Sequence, residues 1–263
     1  MTPPSLTGAR AALIVAHPGH ELRVHGWLEV ARPLTFVLTD GSGSSGEGRL
    51  ASTTRVLNRT GARAGCVYGR MTDREFYASV VDRDYARFIG LAREIATELE
   101  AEAIQYVVGD AVEGYNPTHD VCHLIVGAAL SLLPCDQAPV ERFDFLLEGR
   151  PDACPERVRS RALWLELDDA ALARKVEAAR SYPELAAEVD RTVAKVGMDA
   201  FRVECLRPVD RRRPSASRPA DPPYYETYGE AQVAAGHYEK VLRYREHIQP
   251  LATALTNYVA QQR

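Results

Sequence analysis

No apolar run in this chain approaches the length of a membrane span, so the sequence offers no transmembrane helix. A cysteine framework is missing as well. Cys66, Cys122, Cys135, Cys154 and Cys205 are odd in number, widely spaced and form no CxxC pair, a pattern of reduced thiols rather than disulfides. Nor is there an excess of positive charge. Lysine and arginine total 32 against 36 acidic residues, a net charge of −4, which argues against a general nucleic-acid or membrane-surface binder. The first ten residues lack the basic start and apolar stretch of a secretory signal, and the expectation is a cytoplasmic protein. No repeat and no sharp boundary divides the chain. Its 263 residues and 46% hydrophobic content suit one domain over 1–263, with a regular part, 1–135, and a less regular part, 136–263.

The regular part alternates strand and helix signals. Ala11 to Ala16, Leu34 to Thr39 and Ile104 to Val108 read as buried strands, with a further strand at Gly65 to Tyr68. Asp84 to Glu100 sets Tyr85, Phe88, Ile89, Ala92, Ile95, Ala96 and Leu99 on one helical stripe. Thr118 to Leu133 reads as another helix, with Thr118 as its N-cap. Such alternation predicts an α/β fold of three layers, a mainly parallel sheet covered on both faces. Beyond it, Arg161 to Leu167 reads as a strand and Asp168 to Ser181 as a helix. The stretch 211–223 reads as a loop. From Glu230 a helical C-terminal extension runs toward Arg263, with an interruption at Pro250.

The first apolar run ends in His17-Pro18-Gly19-His20-Glu21. Ligands of open α/β sheets bind outside the carboxyl ends of the strands, and imidazole is the commonest metal-ligating side chain. A second polar cluster, from Gly109 to His123, follows the Ile104 strand and opens a helix. If the two edges converge, His17, His20 and His119 meet. Three imidazoles around one divalent ion, with a position left open, form a hydrolytic zinc site.

Two rival patterns share this ground. His119 to His123 matches HExxH with Asp120 in place of the glutamate, which leaves His17 and His20 without a role. Gly41 to Gly46 satisfies GxGxxG after a strand, as in nucleotide-dependent oxidoreductases, but no helix start follows its last glycine.

The ordered set Ala-His-Pro-x-x-Glu at 16–21, Thr39-Asp40-Gly41 and Asn116-Pro117-Thr118-His119-Asp120 resembles the LmbE-like (PIG-L) deacetylases. The likeness runs from Ala11 to about Leu133. It implies a Rossmann-like, zinc-dependent enzyme that removes acetyl groups from N-acetylglucosamine-type substrates. Carried over by position, His17 and His119 are ligands to Zn2+ or another divalent transition metal. His20 stands in place of a ligating aspartate, and Gly19 in place of the general-base aspartate. Asn116 replaces a histidine that assists the transition state, Asp40 matches a structural aspartate beside the site, and Arg55 a substrate-contacting arginine.

With the base gone, Glu21 or Asp120 would relay protons. Each also has a structural reading, Glu21 orienting a ligating histidine and Asp120 complementing the helix dipole. Asn116 and Tyr115 would face a developing oxyanion or the substrate, although both residue types also build turns. The resulting expectation is a divergent metal-dependent amidohydrolase acting on an N-acylated amino sugar or related small metabolite. It has no nucleic-acid or membrane partner, and room for a homo-oligomer. The alternative is a catalytically inactive relative serving as a sugar-binding or scaffolding protein, which loss of the base and the assisting histidine would suit.

Overall fold

A computed structural model describes residues 8–43, 46–134, 138–210 and 221–263. Ser44 and Ser45 of the glycine loop, Cys135 and most of the proline-rich stretch 211–223 lie outside them.

Seven strands form one sheet. They are β1 (Ala11–Val15), β2 (Leu34–Thr39), β3 (Arg63–Met71), β4 (Tyr106–Asp110), β5 (Glu141–Phe145), β6 (Leu163–Glu166) and β7 (Val203–Pro208), in the order β3-β2-β1-β4-β5-β7-β6. The run from β3 to β5 is parallel, and β7 pairs antiparallel with β5 and β6. Helices cover both faces. One core gathers Ile14, Phe36, Val107, Phe88, Ile95 and Ile125 beneath α4 (Tyr85–Ala101) and α5 (Pro117–Leu132). The other gathers Leu13, Val15, Trp27, Tyr106, Val108 and Phe143 beneath α1 (His25–Ala31) and α7 (Asp169–Arg180). Each fully buried large apolar side chain contributes about 1.5–3 kcal/mol. The architecture is the expected mainly parallel, Rossmann-like α/β fold.

β1, β2 and β4 are short and wholly buried, so their sequences carry no alternation. At Gly109 an added Cβ would stand 2.8 Å from the Ile14 carbonyl oxygen, so glycine lets β4 close onto β1 next to the site.

Three expectations are corrected. The α5 N-cap is Asn116, whose side chain accepts from the Thr118 amide, because Pro117 takes the first helical position and supplies no N–H. The C-terminal tail is not one long helix from Glu230. Glu230 lies inside α9 (Tyr224–Ala234), a π-helical turn spans Tyr244–Ile248, and α10 (Gln249–Gln261) takes Pro250 into its first turn, where proline is tolerated. The part after 135 supplies three strands rather than one, since β5 and β7 lack the continuous apolar runs of the central strands.

Candidate functional site

β1, β2 and β4 end at one edge of the sheet. The Thr39 amide donates to the Ala16 carbonyl at 3.0 Å, and the Ala16 amide to Asp110 Oδ2 at 2.7 Å. His17 follows β1 directly. Pro18 stops the strand, Gly19 turns the chain at φ +105°, and a 3-10 turn opens at His20. His119 comes from the first turn of α5. The three rings meet, with centroids 5.3 Å apart for His17 and His20, 5.2 Å for His17 and His119, and 4.6 Å for His20 and His119.

Hydrogen bonds assign the tautomers of two rings. His17 Nδ1 lies 2.8 Å from Thr39 Oγ1 and 2.9 Å from Asp73 Oδ1. Thr39 already donates its hydrogen to the Ala16 carbonyl, so it accepts from His17, and so does Asp73. The proton therefore sits on Nδ1. His17 Nε2 keeps its lone pair and is buried without a hydrogen-bond partner. His20 Nδ1 faces both oxygens of Asp110 at 3.0 Å, which assigns the same tautomer. Burial holds the His17 and His119 imidazoles below their ordinary pKa, in the neutral form a metal requires. Burial alone would push Asp73 up, yet hydrogen bonds from His17 and the Gly43 amide keep it well below the usual carboxylate range.

Imidazoles that share one tetrahedral ion through nitrogens at about 2.0–2.1 Å have ring centroids about 5 Å apart. The observed spacings lie near that value. A carboxylate behind the distal nitrogen is likewise a habit of metal-bound histidine. Among the described residues, however, no group of three or more His, Cys, Asp or Glu side chains is arranged to hold an ion as it stands. The rings are gathered and two are backed by carboxylates, but a finished coordination sphere is not. Chain topology fixes where the three rings stand, and the turn of each ring about χ2 sets where its nitrogens point.

The other expected residues divide. Asn116 spends its side-chain oxygen on the α5 cap, three residues before His119. Asp120 is buried behind the same turn. Its Oδ1 accepts from the Gly114 amide, its Oδ2 has no partner, and burial raises its pKa to about 7. Glu21 is fully buried, and its Oε2 accepts from the Gly19 amide at 2.7 Å while Oε1 has no partner. It braces the turn that presents His17 and His20. Asp40 touches none of the histidines. Its oxygens shape the glycine loop through the Ser42 and Arg49 amides. Arg55 stands exposed on α2 (Leu50–Thr60) and donates to Ser52 Oγ. Tyr115 is exposed and stacked on Tyr224. His123 bonds the Asp110 carbonyl through Nδ1 and stays out of the triad, so the HExxH pairing is not formed. Among the described residues of the glycine loop none is helical before Leu50. The Gly43 amide donates to Asp73 Oδ2.

Sequence reading passed over Asp73 and gave Asp110 no role. Both sit at strand ends, Asp110 as the last residue of β4 and Asp73 two residues past β3, so the rule that found the histidines reaches them too. Gly19 has a structural cause. Its φ of +105° is a conformation that L side chains rarely adopt, and an aspartate there would also have to displace the Leu185 side chain packed against the turn.

No family model and no curated protein matches the chain. Among solved structures it is similar to the zinc-inhibited form of teicoplanin deacetylase Orf2, with a TM-score of 0.50 and 12% identity over 76% of this chain and 97% of that one. The chain shares that deacetylase's fold. At this identity the likeness speaks for architecture alone. Among the described residues no helix is long and apolar enough to cross a membrane.

Proposed function

We propose that the chain is a metal-dependent hydrolase that releases the acyl group of an N-acylated amino sugar or related small metabolite, with His17, His20 and His119 as ligands to zinc or a similar ion. One observation carries this reading: three imidazoles from distant parts of the chain gather at the carboxyl edge of a parallel sheet, one with a buried, unpartnered nitrogen. The fold shared with a deacetylase supports it.

The bound ion would polarise an acyl carbonyl and acidify water beside it. Every other task falls to side chains. Asp73 and Asp110 hold the His17 and His20 rings with their Nε2 lone pairs free. Asn116 offers an amide hydrogen to an oxygen that gains charge, at the N-terminus of α5 where the helix dipole favours an anion. Gly19 supplies no base. Glu21 and Asp120 flank the histidines, and each keeps one oxygen unpartnered, so a proton can be taken up there. Arg55 and Tyr115 lie farther out, and their part is to hold the body of the substrate.

Elemental analysis and an acetate-release assay on N-acetylated sugars test the proposal together. The purified protein is expected to carry close to one equivalent of transition metal and to release acetate. His17→Ala and His119→Ala are each expected to lose both. Metal without release would favour a sugar-binding relative, and neither metal nor release would overturn the reading.

A further inference from the structure

Arg49, the residue that precedes α2, is half-buried, and its main chain is held on both sides. Its amide donates to the Asp40 carbonyl at 2.8 Å, and its carbonyl accepts from the Tyr182 hydroxyl at 3.2 Å. Tyr182 in turn packs against Gly19, in the turn between His17 and His20. The Arg49 side chain runs back to the end of β1. From the point where a Cβ of Gly41 would stand, Arg49 Nε is 2.8 Å away, Arg49 Nη2 3.1 Å and Pro18 Cδ 2.8 Å. The guanidinium therefore lies against bare glycine backbone and beside Pro18, the residue that follows His17.

Nothing answers its charge. Nε is buried without a hydrogen-bond partner, and among the described residues the side chain makes no ion pair. The nearby arginine of α2 is placed differently. Arg55 donates to Ser52 Oγ at 2.7 Å, and Ser52 donates to the two oxygens of Glu184 at 2.8 and 3.1 Å. That chain gives Arg55 a counter-charge and occupies Glu184. Arg49 has no such relay. A guanidinium carries five donors and no acceptor, and holding so long a side chain in one place costs rotamer freedom. Here that cost is met without a bond to the protein in return, beside the loop that presents two of the three histidines.

We infer that Arg49 selects a substrate bearing an acidic substituent, a carboxylate or a phosphate, on the unit bound at the histidines. Paired oxygens of one anion match the planar guanidinium, a fit that a lone hydroxyl does not offer. This inference rests on the proposed deacylation for the reaction, and on the unanswered guanidinium for the preference.

The experiment sets N-acetylglucosamine against its 1-phosphate and against N-acetylmuramic acid, which carries a carboxylate. At least one of the two acids is expected to show a KM about tenfold lower than the neutral sugar, the low end of what a hydrogen bond to a charged group contributes. Which acid gains tells phosphate from carboxylate. Arg49→Gln is expected to bring the ratio of KM values close to one, and Arg49→Lys, a charge without the planar fork, to keep part of it. A preference that survives Arg49→Gln arises elsewhere in the site and overturns the inference. Binding of the same three probes is measured by calorimetry in His119→Ala, which needs no turnover. Tighter binding of an acid there that is lost on adding Arg49→Gln, without hydrolysis by the parent, keeps the arginine and removes the deacetylase. Hydrolysis of all three probes at equal KM, with equal binding, removes the arginine's role alone. An acid that binds no better than the neutral sugar in either measurement overturns the inference.

Discussion

Two buried polar clusters in this molecule follow opposite rules. At the junction of β7, α1 and α7, Glu204 accepts from the Gly26 and Trp27 amides at 2.9 and 2.8 Å and from Lys175 Nζ at 2.7 Å. Lys175 also donates to the Arg23 carbonyl at 2.8 Å. Glu204 and Lys175 each have partners, and their charges match. At the ends of β1 and β4, by contrast, His17 Nε2, Glu21 Oε1 and Asp120 Oδ2 are buried without one. An unmet buried polar atom costs stability, commonly about 1–3 kcal/mol, so a cluster that keeps several is kept for something other than folding. The first cluster joins elements, and the second is, on the proposed function, prepared for a ligand.

The largest effect that can break this comparison is on the satisfied side. Glu204→Ala leaves Lys175 charged in the interior and uncaps the start of α1. It is expected to cost about 3–5 kcal/mol in urea unfolding. A cost below about 1 kcal/mol would mean that the pair is decoration. A smaller effect is expected on the unsatisfied side. Asp110→Asn keeps the shape and one acceptor oxygen but removes the anion behind His20. Its expected signature is a loss of about 10–100-fold in metal affinity, read by chelator competition, with the unfolding midpoint nearly unmoved. The reverse result, a destabilised protein with unchanged metal affinity, would make the histidine cluster a structural one.

The two clusters also differed in how legible they were. β1 and β2 declared themselves because a strand buried on both faces is a bare apolar run, and a polar residue just past its end stands out. His17 and His20 were singled out that way, the fold brings their rings beside that of His119, and the stripe on α4 fell within a residue of its observed bounds. β3 carries Arg63 and Arg70 on an exposed edge, so its end was misplaced and Asp73 with it. β5 alternates Arg142 and Asp144 with two phenylalanines, and no run marks it. Lys175 and Glu204 stand 29 residues apart on elements whose pairing only the folded chain reveals. Leu185 meets Gly19 across 166 residues, so nothing local explained why the aspartate of the resembled motif is missing. Residues that act at a strand end can be read locally, whereas residues that act through a distant partner cannot.

A third carboxylate sharpens the comparison by separating hydrogen bonding from charge balance. Glu113 accepts from the Leu147 amide at 2.8 Å and from the Glu148 amide, so its oxygens are satisfied, but Arg23 and Arg207 act on it only from a distance, without the direct ion pair that Lys175 makes with Glu204. Burial therefore prevails over those bonds and lifts its pKa to about 7. The sign follows from linkage. Between the unfolded value of about 4.3 and the folded value of about 7 the folded chain holds a proton that the unfolded chain has released, so stability is full below that window, falls as pH rises through it, and is level above. Glu113→Gln has no such proton to lose and keeps an acceptor for the Leu147 amide. Its unfolding free energy is expected to fall less steeply across the window than that of the parent, measured by urea titration at closely spaced pH. Equal slopes would place the satisfied but unbalanced carboxylate with Glu204, and backbone amides alone would then suffice to bury a charge.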